Sequence, residues 1–143
     1  MIRVVVKGPS LEEIAEKVAN EIRAQMESRS YRAANELRNS ALLVLRGQRS
    51  GRSYRVPGTK RRYTASAPGE PPAVRTGTFR NSWRPRTYAF GDSYFSIIDS
   101  DVFYADWLEN GTPGGQMAPR PHHDRILKDA EPKIHKIYSE PYF

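Results

Sequence analysis

The chain has 143 residues, 38% of them hydrophobic, 27% charged and none cysteine, with a formal net charge of +7. That length supports one ordinary domain with a real core. The lack of cysteine excludes a disulfide framework, thiolate metal sites and a cysteine nucleophile, and no run approaches the roughly 18 apolar residues of a membrane span. The excess positive charge belongs to one stretch. Between Gln48 and Arg86 stand Arg49, Arg52, Arg55, Lys60, Arg61, Arg62, Arg75, Arg80, Arg84 and Arg86 against Glu70 alone, so the remainder of the chain is slightly acidic. A basic segment of this kind points to nucleic acid, an anionic surface or an acidic protein as partner.

In chain order, Arg3 to Lys7 reads as a short valine-rich strand ended by Gly8-Pro9. Met1 to Val6 is too short for a leader, which predicts synthesis in a cytosol. Ser10 and Glu13 have capping-box spacing and open a helix. Leu11, Ile14, Ala15, Val18, Ala19, Ile22 and Met26 follow with helical period, and the pattern continues through Ala33, Ala34, Leu37, Ala41, Val44 and Leu45. Ser28-Arg29-Ser30 is the expected weak point of that helix and Gly47 its expected stop. Residues 48–74 lack periodicity and are rich in Gly, Pro, Ser and Arg; they read as a long basic loop, mobile in the free chain and ordered against a neighbour. Thr76 is placed to cap a short turn reaching Ser82.

Trp83 to Phe90 and Tyr94 to Ile98 read as two strands joined by Gly91-Asp92-Ser93. Phe103 to Leu108 is a turn of helix or a third strand, and Asn110 to Pro119 is a Gly/Pro loop. A last helix starts near Pro121 and carries Ile126, Leu127, Ala130, Ile134 and Ile137. The expected fold is a single α+β domain over residues 1–143. Its long N-terminal and C-terminal helices pack on a small antiparallel sheet, and an extended basic loop spans residues 48–74. A mean hydropathy of −0.71 leaves little apolar material for a compact core. The aromatic residues Trp83, Phe90, Tyr94, Phe95, Phe103, Tyr104 and Trp107 exceed what one small sheet hides, so some belong at contacts between subunits.

Three groups invite chemistry. His122-His123-Asp124 suggests a metal, but adjacent helical residues point about 100° apart and would not converge on one ion. They read instead as a polar, surface-exposed helix start, with Asp124 favourable in the first turn. Serines are plentiful, yet no G-x-S-x-G nucleophile elbow and no phosphate-loop signature occurs. No catalytic, metal or cofactor residue is therefore assigned. The basic loop, with Arg49, Arg52, Arg55, Lys60, Arg61 and Arg62 interleaved with Tyr54 and Tyr63, is the serious candidate. It suits phosphates and stacked bases on one reading and an acidic neighbouring protein on the other.

Three fragments carry a family likeness: Ser66 to Trp83 (SAPGEPPAVRTGTFRNSW), Tyr104 to Thr112 (YADWLENGT) and Met117 to Pro121 (MAPRP) before a helix. Their order and spacing resemble the tail-component family of long-tailed bacteriophages, the neck, tail-completion and head–tail joining proteins. The residues that carry the likeness are Thr76, Gly77, Phe79, Arg80, Ser82, Tyr104, Trp107, Glu109, Gly111, Thr112, Arg120 and Pro121. It covers about the C-terminal half. Phe79 stands where the family has leucine, Pro119 separates Ala118 from Arg120, and His122-His123 replaces an apolar pair, so the last helix is expected to dock differently. The residues fit scaffold roles. Tyr104, Trp107 and Leu108 suit an apolar cluster beside the hairpin, Gly111 suits a positive φ, and Pro119 and Pro121 stiffen the helix entry.

The resemblance implies a non-enzymatic virion protein, without cofactor, assembled in the bacterial host cytoplasm. It would form a homo-oligomeric ring, a hexamer, in the neck or at the head-proximal end of the tail. Its neighbours would be neck, tail-terminator or tail-tube proteins and the channel DNA, and no membrane. A cytosolic nucleic-acid-binding protein using residues 48–86 is the alternative. A small hydrolase is a weaker third reading.

Overall fold

A computed structural model describes residues 2–143. Helix α1 runs from Leu11 to Val44, 34 residues and so roughly 50 Å long. Ser10 accepts from the Glu13 amide at 3.1 Å while the Glu13 carboxylate accepts from the Ser10 amide at 3.2 Å, completing the expected capping box. Residues 2–10 form no strand. They have no paired neighbour, and Ile2, Val4, Val5 and Val6 lie exposed, so β-propensity alone does not make a strand here.

Helix α1 passes through Ser28-Arg29-Ser30 without a break, because that segment is its best-clamped point. Arg29 is buried and donates to the carbonyls of Tyr138 (3.3 Å) and Pro141 (2.9 Å), and its guanidinium lies 3.9 Å from the Tyr142 ring centroid. Ser30 accepts on its carbonyl from the Ser96 hydroxyl at 2.6 Å. The helix then ends at Val44, before Gly47. The Leu45 amide bonds back to Ala41, and Gly47 does not take a positive φ.

The segment read as one long loop contains a small antiparallel hairpin, β1 (Ser53–Arg55) with β2 (Arg62–Thr64), in which Tyr54 faces Tyr63 and Arg55 faces Arg62. A single turn, α2 (Thr78–Asn81), leads into the second hairpin, β3 (Arg84–Phe90) with β4 (Ser93–Asp99), which turns at Gly91 (φ +59°). The aromatic segment after it is helical, α3 (Ala105–Asn110). The last helix, α4, spans His123–Tyr138 with His122 as its N-cap. The architecture is α+β, with two separate two-stranded sheets.

Helix α1 is the spine. Helix α4 and one face of β3–β4 both pack against its C-terminal two-thirds. Ala33, Ala34 and Ala41 of α1 and Ala130 of α4 are fully buried or nearly so. Small side chains at those positions let backbones approach closely enough for Leu45, Phe79, Trp83 and Ile126 to form the core, ringed by Val44, Ile98, Val102, Tyr104, Ala105 and Leu108. Fully burying residues of this size contributes about 1.5–3 kcal/mol each.

Candidate functional site: the motif junction and the basic arm

The three motif fragments, separate in sequence, meet in space. Gly69 donates its amide to Pro119 at 3.2 Å, and the Arg120 side chain donates from Nε to the Ser66 hydroxyl at 2.9 Å. The Arg120 amide donates to the Leu108 carbonyl at 2.7 Å, joining the third fragment to α3. Thr112 closes the intervening loop: its amide donates to the Met117 carbonyl at 3.2 Å and its hydroxyl accepts from the Met117 amide at 3.0 Å. Gly111 takes φ +82°, and a Cβ there would lie 2.9 Å from the Met117 carbonyl oxygen. Only glycine suits that corner.

The first fragment supplies the inner wall. Gly77, at φ +85°, is the N-cap of α2. Thr76 does not cap the turn as its composition suggested; it accepts a long 3.4 Å bond from the Thr78 amide and sits 3.0 Å from the Thr78 hydroxyl. Arg80 fastens the turn to α1 through the Leu42 carbonyl at 3.1 Å. The Ser82 hydroxyl bridges the Phe79 carbonyl and the Ser100 hydroxyl, both at 2.6 Å. Phe79 is buried edge-on to Trp83, with centroids 5.6 Å apart. Tyr104 and Leu108 pack on that cluster. Trp107 does not: it is 41% exposed and stacks edge-on to the exposed Phe103, because α3 is amphipathic and presents Tyr104 and Leu108 inward. Pro121 is exposed just ahead of the α4 cap.

Glu109, His122 and His123 are the tightest polar group. Their donor atoms lie within 4.8 Å of one another, so the histidines converge rather than diverge. The helical 100° spacing does not apply, since His122 is the N-cap (φ −142°, ψ −20°) and stands outside the helix. Nor is His122 on the surface; it is fully buried, edge-on to Phe79 at 5.3 Å and to Trp83 at 6.0 Å.

The Glu109 carboxylate accepts the amides of His122 (2.9 Å) and His123 (3.3 Å), which makes it the anionic cap of α4. His122 Nδ1 lies 2.9 Å from both the Arg120 carbonyl and Glu109, so Nδ1 carries the proton and donates to them. Nε2 is buried without a partner. Burial pushes the imidazole below its ordinary range, against the pull of the Arg120 carbonyl and Glu109. His122 is therefore neutral, and its contact with Glu109 is a hydrogen bond rather than an ion pair. Zinc ligation through His122 Nδ1 would displace its proton and break the Arg120 bond. The group as built is a strap between α3 and α4.

A cleft of about 390 Å³ opens beside the junction, between Leu45, Tyr63, Phe79, Tyr104 and Leu108, with Arg75, Arg80 and Arg120 at its edges. Its lining includes serine and threonine hydroxyls and the phenols of Tyr63 and Tyr104, but no carboxylate, imidazole or thiol.

The basic segment divides into a latch and an arm. Arg49 is committed inside the chain, against the expectation that it faces a partner. Its guanidinium donates to the carbonyls of Val44 (2.7 Å), Pro71 (2.6 Å) and Pro72 (3.2 Å). Opposite it, the Glu70 carboxylate accepts from the Ser50 hydroxyl, the Ser50 amide (3.1 Å) and the Ala67 amide (3.0 Å). The Ser50 hydroxyl, then the Ala67 and Ser50 amides, lower Glu70 from 4.5 to about 2. Beyond this latch the arm is exposed. Arg62 bonds to Ser53 within the arm, whereas Arg52, Arg55, Lys60 and Arg61 have no carboxylate partner among the described residues. Arg55 and Arg62 oppose each other directly across the hairpin, a like-charge pairing that destabilises a free hairpin.

Two further surfaces carried only a partial signal in the sequence. The N-terminal part of α1 projects past the domain, leaving Leu11 86%, Ile14 46%, Val18 38% and Ile22 36% exposed. The β3–β4 face turned away from α1 carries the stacked pair Tyr88–Phe95, centroids 4.7 Å apart, beside Phe90. The surplus of aromatics on the hairpin was legible; that the described residues leave the α1 stripe uncovered was not. No helix among the described residues is long and apolar enough to cross a membrane. No protein-family model matches the chain, and no curated protein or solved structure matches it either.

Proposed function

We propose that this chain is a non-enzymatic structural subunit of a tailed-bacteriophage virion. It would assemble in the host cytoplasm into a homo-oligomeric ring, a hexamer, in the neck or at the head-proximal end of the tail. Its neighbours there would be neck, tail-terminator or tail-tube proteins. The resemblance of the three motif fragments suggests the role. The observation that carries it is the uncovered apolar surface: the projecting stripe of α1 and the outer aromatic face of β3–β4 lie at separate places on a small domain. Contiguous apolar surface of this kind on a soluble chain marks contacts with other proteins. The junction supports the same reading, because its polar groups are spent on fastening loops and helix ends rather than aimed at a ligand. No cofactor enters this reading.

The test is a map of virions, or of purified neck and tail particles, from a phage carrying the chain. Several copies arranged in a ring at the head–tail joint are expected, and a single copy there would overturn the proposal. A second reading is favoured by the arm alone, whose free cations and Tyr54–Tyr63 pair suit a nucleic-acid backbone. Binding of free duplex DNA that weakens steeply with salt and is lost with the arm arginines would support it.

A further inference from the structure

Residues 2–7 have the composition of a strand and no strand to join. In extended backbone Ile2, Val4 and Val6 share one face, with Arg3, Val5 and Lys7 on the other. That period is the pattern of a half-buried strand. Ile2, Val4, Val5 and Val6 are all exposed, and no backbone group from Ile2 to Pro9 has a backbone partner among the described residues.

Hairpin β3–β4 supplies the complement, an open edge. Two residues, Gly91 and Asp92, make its turn, so Phe90 and Ser93 exchange hydrogen bonds, and bonded and non-bonded pairs alternate from there. The backbone groups of Tyr94, Ser96 and Ile98 on β4, and of Ala89, Thr87 and Pro85 on β3, therefore point away from the hairpin. None has a backbone partner among the described residues, and the sheet stops at two strands. The two edges differ. β3 carries Arg84, Pro85 and Arg86, and Pro85 has no amide to offer; charge and proline are the usual guards of an edge. β4 holds no lysine, arginine or proline. It presents Phe95 and Ile97 on the outer face, and Tyr94 and Ile98 on the face from which Ser96 reaches α1. A bare edge of that kind recruits another strand. Hairpin β1–β2 is a poorer host, since its strands have three residues each and its Arg55 and Arg62 would meet Arg3 and Lys7 as like charges.

The segment cannot pair along β4 of its own copy. The Ser96 hydroxyl bonds to the Ser30 carbonyl, which fixes β4 beside that point of α1. Ser30 stands 20 residues beyond the cap Ser10 on an unbroken helix, roughly 30 Å at about 1.5 Å per residue. Fully extended, the stretch from Ile2 to Pro9 spans roughly 27 Å at about 3.4 Å per residue, and Lys7 stays about 20 Å short of Ser30.

We infer that residues 2–7 of one copy add a third strand to the β4 edge of the next copy. The inference rests on the ring reading and names one of its contacts. Segment and edge are different surfaces, so the contact is heterologous and repeats from copy to copy until the rotation closes. The main-chain ladder supplies the affinity, and the valines meet apolar neighbours on either face of β4.

Amide exchange on the full chain, followed against protein concentration, tests the contact. In the dilute chain the Phe95 and Ile97 amides, bonded to β3, should exchange slowly, and those of Tyr94, Ser96 and Ile98 fast. At high concentration, and in purified neck or tail particles, the last three should slow by about tenfold or more while Phe95 and Ile97 keep their protection. Val5→Pro with Val6→Pro removes two adjacent amides, one of which must face the host strand whichever way the segment runs. Both positions are exposed and without a backbone partner. The free chain of this variant should therefore unfold as before, while self-association and the gained protection disappear. Val5→Thr with Val6→Thr keeps the amides and the β-branched shape, and should retain both in weakened form.

Exchange at Tyr94, Ser96 and Ile98 that is independent of concentration and unchanged in particles overturns the inference. So does protection that survives the proline pair, which would give the edge to a strand of another protein. A virion map with a ring whose residues 2–7 lie away from β4 removes the contact and leaves the ring reading standing. A single copy at the joint removes the ring reading, and the concentration dependence of the free chain then decides the contact by itself.

Discussion

The C-terminal half and the N-terminal half of this molecule solve opposite problems. In the junction of Ser66–Gly69, Tyr104–Thr112 and Met117–His122, backbone amides and carbonyls, a threonine hydroxyl, an arginine and a carboxylate are matched to one another. In the projecting stretch of α1 and in the arm, cations, carboxylates and apolar side chains face solvent. The junction spends its polar groups on itself, whereas the second region leaves cations, carboxylates and apolar side chains exposed. The difference sorts substitutions. Changes in the junction should unfold the subunit, whereas changes at the projecting ends should leave the monomer unaltered and act on assembly.

The largest effect is expected at Phe79 and Trp83, which fill the core between α2 and α4. Phe79→Ala or Trp83→Ala should each cost about 3–5 kcal/mol in denaturant unfolding, while Trp107→Ala, at an exposed position, should cost about 1 kcal/mol or less. Equal costs at Trp83 and Trp107 would break the division. Gly111→Val comes next, at about 1–3 kcal/mol for the strained φ alone, because its Cβ also meets the Met117 carbonyl. Gly58, at φ +75° in the arm with nothing within 4 Å of a Cβ, gives the comparison at an open position. Gly58→Ala should cost less than Gly111→Ala.

A smaller effect follows from His122. Burial holds its folded-state pKa below the ordinary 6.5. The unfolded chain therefore binds a proton that the folded one resists, and stability declines as pH falls below about 6.5. Above that pH both states are neutral and the contribution is flat. The groups facing the ring are the Glu109 carboxylate, the His123 imidazole and the Arg120 carbonyl. His122→Asn, which keeps a donor for the Arg120 carbonyl, should flatten the slope between pH 6.5 and 5. Glu70 acts lower, as its contribution is present above 4.5 and lost as pH falls toward about 2, so Glu70→Gln should leave the higher window unchanged. An unaltered slope in the His122 variant would falsify the buried neutral imidazole.

The legibility of the sequence follows the same division. The capping box of Ser10 and Glu13, the period of α1, the hairpin through Gly91 and the positive φ of Gly111 were all readable, because each depends on neighbours a few residues apart. Readings that depended on distant partners failed. Arg3 to Lys7 has strand composition but no strand to pair with. Ser28-Arg29-Ser30 looked weak because the C-terminal tail that clamps it lies more than a hundred residues away. Arg49 looked free because its acceptors are carbonyls, which carry no signature in the sequence. His122 looked exposed because its place as an N-cap, one residue outside the helix, turns its ring into the core.

The smallest expected effect is the sharpest test of the comparison. Val18 belongs to the best apolar period in the chain, and by sequence it would be assigned to the core. It is instead 38% exposed. Val18→Gln removes apolar surface that is left partly exposed among the described residues, and glutamine is the better helix former by a few tenths of a kcal/mol. Unfolding of the free chain should therefore shift by no more than about 0.5 kcal/mol in either direction. Amide exchange sharpens the contrast, since residues 11–24 should exchange faster in the free chain than residues 29–41, where α1 is clamped. In the assembled particle the first group should become protected, and Val18→Gln should weaken that protection. A loss of more than about 1 kcal/mol in the free chain would mean that this part of α1 is already covered in the monomer, and the two halves would then differ in composition but not in role.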